Sequence, residues 1–234
     1  MKLALFDIDG TLTRTNGVDS RAFNAAFVEV LGIDDLDGTW TSYGHRTDSG
    51  IADGICRRHL GRPGTDREMV AVKSRFVELL LEEVDRDAAQ FEPVTGARSF
   101  LESLTASGWG VALATGGWEA SARLKLETAG FELGLPLAHA DDAMPRHDIV
   151  ALAIQRAKQE HGVEAFDKVV SLGDGTWDLE VARDLDLAFV GVTAESDARK
   201  LEAAGASHTL IDYSLQASAV AALDGARIPS GRGN

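Results

Sequence analysis

Two apolar runs at opposite ends of the chain each stop abruptly at acidic residues. Residues 3–6 lead into Phe6-Asp7-Ile8-Asp9-Gly10-Thr11-Leu12, and residues 168–172 lead into Leu172-Gly173-Asp174-Gly175-Thr176-Trp177-Asp178. Short, continuously apolar runs are the mark of interior strands in a parallel sheet, because both faces of such a sheet are covered. If the two strands share one sheet, their carboxyl ends face the same edge, and Asp7, Asp9, Asp174 and Asp178 converge on one crevice. Two unit charges ~4 Å apart at an effective dielectric of ~20 interact by ~4 kcal/mol. That is a large part of the ~5–15 kcal/mol that keeps a domain folded. A crevice of this kind needs a cation, and an all-oxygen ligand set favours Mg2+ over zinc or copper.

The first strand is not followed by an ordinary crossover helix. Val18, Ala22, Phe23, Ala26, Phe27, Val30 and Leu31 make one helical apolar stripe, and Met69, Val72, Phe76, Leu79, Leu80 and Val84 make another. A shorter helix is expected between them over 48–60. Gly61-Arg62-Pro63-Gly64 punctuates the second and third helices, and Glu92-Pro93-Val94-Thr95-Gly96 closes the segment. Beyond Gly96, helices and strands alternate. Strands are read at 110–114, 168–172 and 188–192, with weaker ones at 137–138 and 208–211. Helices are read at 97–107, 118–129, 148–161, 176–186, 198–204 and 214–223. The expected fold is α/β: a Rossmann-like parallel sheet core with helices on both faces, from residues 1–13 and 94–226, plus an inserted α-helical domain over 14–93. The tail 227–234, with Pro229, Gly231 and Gly233, reads as frayed.

Composition narrows the partners. A formal net charge of -14 and a pI near 4.8 repel nucleic acid and anionic membrane surfaces, so any phosphate-bearing substrate must be caught by local positive groups. The single cysteine, Cys56, forms no internal disulfide and fits a reducing compartment. The apolar start Met1-Lys2-Leu3-Ala4-Leu5-Phe6 is interrupted by Asp7 and Asp9 before a secretory signal could form, and no apolar run reaches membrane-spanning length. A cytoplasmic location is the expectation.

Asp7 and Asp9 flank Ile8 at a strand end, so their side chains start on one side of the chain. One carboxylate can attack phosphorus to form an aspartyl phosphate. The other can protonate the leaving oxygen and later deprotonate water. Asp7 is read as the nucleophile and Asp9 as the acid/base. A calcium loop fails by register in both runs, because the glycine and acidic positions do not coincide with those such a loop requires.

Asp-Ile-Asp-Gly-Thr-Leu after an N-terminal strand resembles the first motif of the haloacid dehalogenase superfamily of phosphotransferases, and further motifs follow in order. Ending the next core strand, Thr115-Gly116-Gly117 resembles the second; the resemblance implies that Thr115 and the following backbone amides hold phosphoryl oxygens, with Thr11 of the first motif beside them. Gly173-Asp174 and Asp178 correspond to the fourth. By resemblance Asp174 ligates Mg2+ with Asp7 and the backbone carbonyl of Asp9, while Asp178 acts through water or orients the site. Asp178 also has a plain reading as a first-turn helix residue. The third motif, a Lys or Arg beside the nucleophile, departs from its commonest form. Arg146 in Met144-Pro145-Arg146-His147 is the candidate, since its planar fork suits phosphate; Lys125 competes, and is read as a solvated lysine on an amphipathic helix.

The inserted segment resembles the four-helix cap of phosphoglycolate phosphatase-like and beta-phosphoglucomutase-like members. There Ser42-Tyr43-Gly44-His45-Arg46-Thr47 corresponds to a substrate-facing loop, which makes His45 and Arg46 candidate substrate contacts or, equally, a solvated helix start. The implied activity is Mg2+-dependent hydrolysis of a small phosphorylated metabolite. A sugar phosphomutase keeps the same four motifs. Dehalogenation has no need of the metal carboxylates, phosphonate cleavage needs a cap lysine where the segment offers only Lys73, and a non-catalytic binding module has no reason to keep the nucleophile.

Overall fold

The computed structural model describes residues 1–36, 40 and 42–231. The strands are β1 (Lys2–Phe6), β2 (Gly110–Ala114), β3 (Leu137–Ala138), β4 (Lys168–Gly173), β5 (Ala188–Val192) and β6 (Thr209–Leu210). They form one six-stranded parallel sheet in the order β3-β2-β1-β4-β5-β6. Every residue of β2 and β5 is buried, as their Val, Ala, Phe and Gly composition requires of strands covered on both faces. The edges are blunted by the two-residue strands β3 and β6. Phe6 pairs with Leu113 on one side and Leu172 on the other. Asp7, Thr115 and Asp174 therefore leave the sheet from three adjacent strand ends, where the strand order reverses.

Helices α1 (Asn16–Leu31), α2 (Asp48–Leu60) and α3 (Asp66–Arg86) lie between β1 and β2 in the chain. They are followed by α4 (Ala97–Ala106), α5 (Glu119–Thr128), α6 (Arg146–His161), α7 (Thr176–Asp184), α8 (Glu195–Ala203) and α9 (Gln216–Gly225). Among the described residues the insertion carries the three α-helices read from the sequence and a 3-10 turn, Ala88–Phe91, rather than the four helices of the cap it resembles. Two helices start earlier than their apolar periodicity suggests. Pro145 cannot donate a backbone hydrogen bond and sits at the cap with φ -71, so α6 opens on Arg146 rather than at 148. α8 opens at Glu195 because Glu195 and Asp197 suit the positive end of the helix.

The two chain crossings into the insertion run side by side, with Arg14 N–H donating to the Glu92 carbonyl (2.9 Å) and Val94 N–H to that of Leu12 (2.8 Å). One apolar cluster then continues from Leu3, Leu5, Ala112 and Ala114 of the sheet into Val18, Phe23, Phe27, Phe76 and Leu80 of the insertion. Its hinge of contact is aromatic. Phe23 stacks on Trp118 at 5.4 Å, and Phe76 meets Trp118 edge-on at 5.9 Å and Phe23 at 5.7 Å. On the opposite face of the sheet Phe6, Phe100 and Tyr213 pack together, and the Tyr213 hydroxyl donates to the Thr11 carbonyl (3.1 Å), fixing the loop after β1.

The tail is not frayed over its described part. Arg227 extends the sheet beside β5, its carbonyl accepting from Phe189 N–H (3.1 Å), and the Pro229 carbonyl accepts from Arg183 (3.4 Å). Residues 232–234 lie outside the described residues. Among the described residues no helix is long and apolar enough to cross a membrane.

Phe76 is fully buried where insertion and sheet meet. Phe76→Ala is expected to lower unfolding free energy by about 3–5 kcal/mol in urea titrations. A loss below about 1 kcal/mol would show that the aromatic contact does not hold the two parts together.

Candidate active site

A cavity of about 240 Å³ opens at the carboxyl edge of the sheet, roofed by α1 and the start of α2. Its floor is Asp7, whose N–H continues the ladder to the Leu172 carbonyl (3.0 Å) and whose side chain is buried. Gly10 follows with φ +76, a left-handed conformation that glycine adopts without strain. A Cβ there would strike the Asp174 carboxylate, so Gly10 is also what lets the first loop lie against the second.

Asp7, Asp174 and Asp178 each present an oxygen within 4.8 Å of the others. Arg146, at the first position of α6, spans two of them: its Nη2 lies 2.8 Å from Asp7 Oδ1 and 2.7 Å from Asp178 Oδ1. Gly116 makes room for this guanidinium, since a Cβ on it would meet Arg146 Nη1. Burial, and then the charge of Asp178, pushes the Asp7 carboxyl well above the ordinary range against the pull of Arg146. Burial and Asp178 likewise push Asp174 up to about 7, although Asn16 donates to its Oδ2 (2.7 Å). Asp178 is raised by burial while Arg146 and the Gly175 N–H (3.2 Å) draw it back. Three converging hard oxygens with raised proton affinities, at a place where one guanidinium does not balance them, fit a divalent cation of the oxygen-seeking kind.

Asp9 lines the same cavity but is not one of these three carboxylates. Its two oxygens accept from Lys125 Nζ at 2.8 and 2.6 Å, and Oδ1 also accepts from the Thr15 hydroxyl at 2.5 Å. Lys125 is fully buried, so the reading of it as a solvated lysine is corrected. Its third partner is Asp19 Oδ1 at 2.7 Å, from the first turn of α1. Burial alone would lower this ammonium, but Asp19, Asp9 and then Asp48 outweigh it and hold it above its ordinary value. Burial pushes Asp19 up to about 6 against the attraction of Lys125, and pushes Asp48 well above the carboxylate range with Asp19 adding to the effect.

The insertion meets the core through residues 46–49. Asp48 N–H donates to the Gly116 carbonyl (2.7 Å), and its carboxylate accepts from Trp118 N–H (2.9 Å) at the start of α5. The Thr47 hydroxyl donates to the Met144 carbonyl (2.7 Å), and Ser49 links the Trp118 indole N–H (2.9 Å) to the Ala140 carbonyl (2.7 Å). Arg46 lines the cavity with its guanidinium over the Trp177 ring at 5.2 Å. Thr115 and Gly117 line it too, the Gly117 N–H donating to the Thr115 hydroxyl (3.0 Å).

Not every residue named from the sequence reaches this cavity. His45 is exposed and packs against the backbone at Gly50, outside the lining. Thr11 is fully buried beneath the first loop and is not in the lining either. Conversely, Thr15, Asn16, Asp19 and Asp48 were not singled out. Asp19 and Asp48 look like ordinary first-turn acids, and only the fold shows which buried cation they face. For Lys125 a signal existed: Ala122, Lys125, Leu126 and Ala129 form one helical stripe, so the lysine occupies a slot of the buried face.

Comparison with known proteins places the fold. The chain is similar in structure to a hydrolase from Pseudomonas syringae (22% identity, TM-score 0.69, covering 91% of this chain and 94% of that one). It is also similar to CbbY from Rhodobacter sphaeroides, solved in complex with phosphate (23%, TM-score 0.67, 95% and 98%). A third is a Bacteroides vulgatus protein assigned as a beta-phosphoglucomutase (16%, TM-score 0.68, 96% and 89%). At these identities the likeness shows the fold. No curated protein matches the chain. The sequence model of the haloacid dehalogenase-like hydrolases matches residues 1–186, and the chain belongs to that family.

Proposed function

We propose that the protein is a phosphatase that hydrolyses a small phosphorylated metabolite through an aspartyl phosphate on Asp7, with Mg2+ as its ion. The observation that carries this reading is the buried Asp7 at the floor of the cavity, with Arg146 2.8 Å from one oxygen and Asp174 and Asp178 grouped beside it. Asp7 and Asp174, with Asp178 behind them, would hold the ion, which when bound supplies positive charge for the phosphoryl oxygens. Phosphate bound by CbbY, a protein of the same fold, is consistent with a phosphoryl group in this cavity.

The chain's own residues then divide the work. Asp7 offers its free oxygen to phosphorus, and Arg146, donating to Asp7 and to the Arg46 carbonyl, keeps that carboxylate oriented and brings positive charge to the phosphoryl oxygens. Thr115 and the Gly116-Gly117 turn bound the phosphoryl side of the cavity, and Arg46 with Trp177 bounds the side where the leaving group sits. Asp9 serves as acid and base. Held in contact with the core by residues 46–49, the insertion acts as a cap that keeps bulk water from the reacting atoms. Lys73 pairs with Asp141 and lies over Trp118, outside the cavity lining, which speaks against a Schiff-base reaction.

Asp7→Asn is expected to reduce turnover of phosphate monoesters at least about 10³-fold without altering the fold. Wild-type turnover in labelled water should place solvent oxygen in the released phosphate. Full activity of the variant, or phosphate returned to a sugar instead of released, would remove the reading.

Metal binding gives a second test. Burial and the charge of Asp178 push the Asp174 carboxyl up to about 7 in the folded chain, against about 3.9 when unfolded. A folded-state value raised in this way favours the ion-free fold at low pH, and that advantage is lost as pH climbs from about 4 through about 7. Because Mg2+ competes with those protons, its stabilisation should grow with pH. The rise in Tm between EDTA and saturating Mg2+ is expected to be larger at pH 7.5 than at pH 5. No shift at pH 7.5 would count against a metal held by these carboxylates.

A further inference from the structure

The chemistry on Asp7 uses Arg146 and leaves Lys125 without a task, although its ammonium is fully buried and makes three hydrogen bonds. We propose that Lys125 is a positioning residue: with Thr15 it holds the Asp9 carboxylate for the half of the reaction in which water attacks phosphorylated Asp7. The inference rests on the phosphatase reading above.

Three features of the cluster point this way. Both Asp9 oxygens accept from Lys125, and Oδ1 accepts from Thr15 as well, so the carboxylate is fixed in rotation. Thr15 occupies the N-cap of α1, where a threonine hydroxyl ordinarily accepts from a backbone N–H two or three residues on. It makes no such bond here and donates to Asp9 instead. Finally, Asp19 takes the remaining hydrogen of the ammonium at 2.7 Å, anchoring Lys125 to α1. Arg146 faces Asp7 and Lys125 faces Asp9, so each of the two carboxylates in the first motif has its own cation.

In the assigned step the Asp9 carboxylate takes one proton from water. The water oxygen bonds to phosphorus as the phosphorus–oxygen bond to Asp7 breaks, and its electron pair returns to the Asp7 carboxylate. Phosphate leaves, and Asp9 keeps the proton for the next leaving oxygen. Release of nitrophenolate from p-nitrophenyl phosphate needs no such proton, so the two halves of the reaction can be measured apart.

The experiment compares wild type, Lys125→Met, Lys125→Arg and Thr15→Val with p-nitrophenyl phosphate and Mg2+. For Lys125→Met, kcat is expected to fall about 10²-fold while kcat/KM, which reports only steps through phosphorylation, stays within about threefold and phosphorylated enzyme accumulates. Lys125→Arg should recover most of kcat. Thr15→Val, which leaves the ion cluster whole, should show the same split on a smaller scale, about fivefold in kcat. If Lys125→Met does not fold, Thr15→Val and the charge-balanced pair Lys125→Met with Asp19→Asn carry the test. Parallel loss of kcat and kcat/KM, or no loss of kcat, overturns the positioning role and leaves the phosphatase reading standing. A wild-type protein without turnover of any phosphate ester overturns both.

Discussion

Buried negative charge is the condition around which this molecule is arranged. Asp7, Asp9, Asp19, Asp48 and Asp174 line one cavity together with Arg46 and Arg146, and behind that lining Lys125 pairs with Asp9 and Asp19 while Asp178 pairs with Arg146. An isolated carboxylate in such a place either finds a partner or takes up a proton. Both responses occur side by side. Asp9 is fully paired, whereas Asp7, Asp48 and Asp174 are pushed toward the protonated form. A folded domain tolerates this arrangement only if it gains something by binding, because a wholly apolar filling of the same space would be more stable.

The topology explains why the charges meet where they do. Reversal of strand order beside β1 places the ends of β1, β2 and β4 next to one another, and the insertion leaves the sheet directly after the first of them. Its roots are paired at Leu12–Glu92 level by backbone hydrogen bonds, so α1 starts within reach of α5. Asp19 on α1 and Asp48 on α2 therefore share the environment of Lys125, which belongs to the sheet-bearing part. Any movement that draws α1 away from α5 must part Asp19 from Lys125. Position of the insertion and orientation of Asp9 are linked through one ammonium group.

Legibility of the sequence followed the range of the interactions involved. The strands at 110–114 and 188–192 could be read from composition because a doubly covered strand has no polar positions, and the acidic loops because their chemistry is local. Helix starts at Arg146 and Glu195 were misplaced because caps and end charges, not periodicity, decide them. Burial of Lys125 was legible in its stripe but was overruled by the general habit of lysine, and the tail was read as frayed because its pairing with Phe189 is a contact across the whole fold. Asp19 and Asp48 had no local signal at all: what distinguishes them from other first-turn acids is the helix they face.

Places where the chain breaks a local rule lie together. Thr15 declines its capping bond, Gly10 holds a left-handed turn against Asp174, Gly116 gives way to a guanidinium, and Lys125 sits in an apolar stripe. The lost cap and the buried lysine are repaired together, since Thr15 and Lys125 both satisfy Asp9, while Gly10 and Gly116 let Asp174 and Arg146 approach Asp7. Scattered defects would be independent losses. Mutually compensating ones, concentrated on two carboxylates separated by a single residue, mark the part of the molecule whose form is set by reactivity and not by packing.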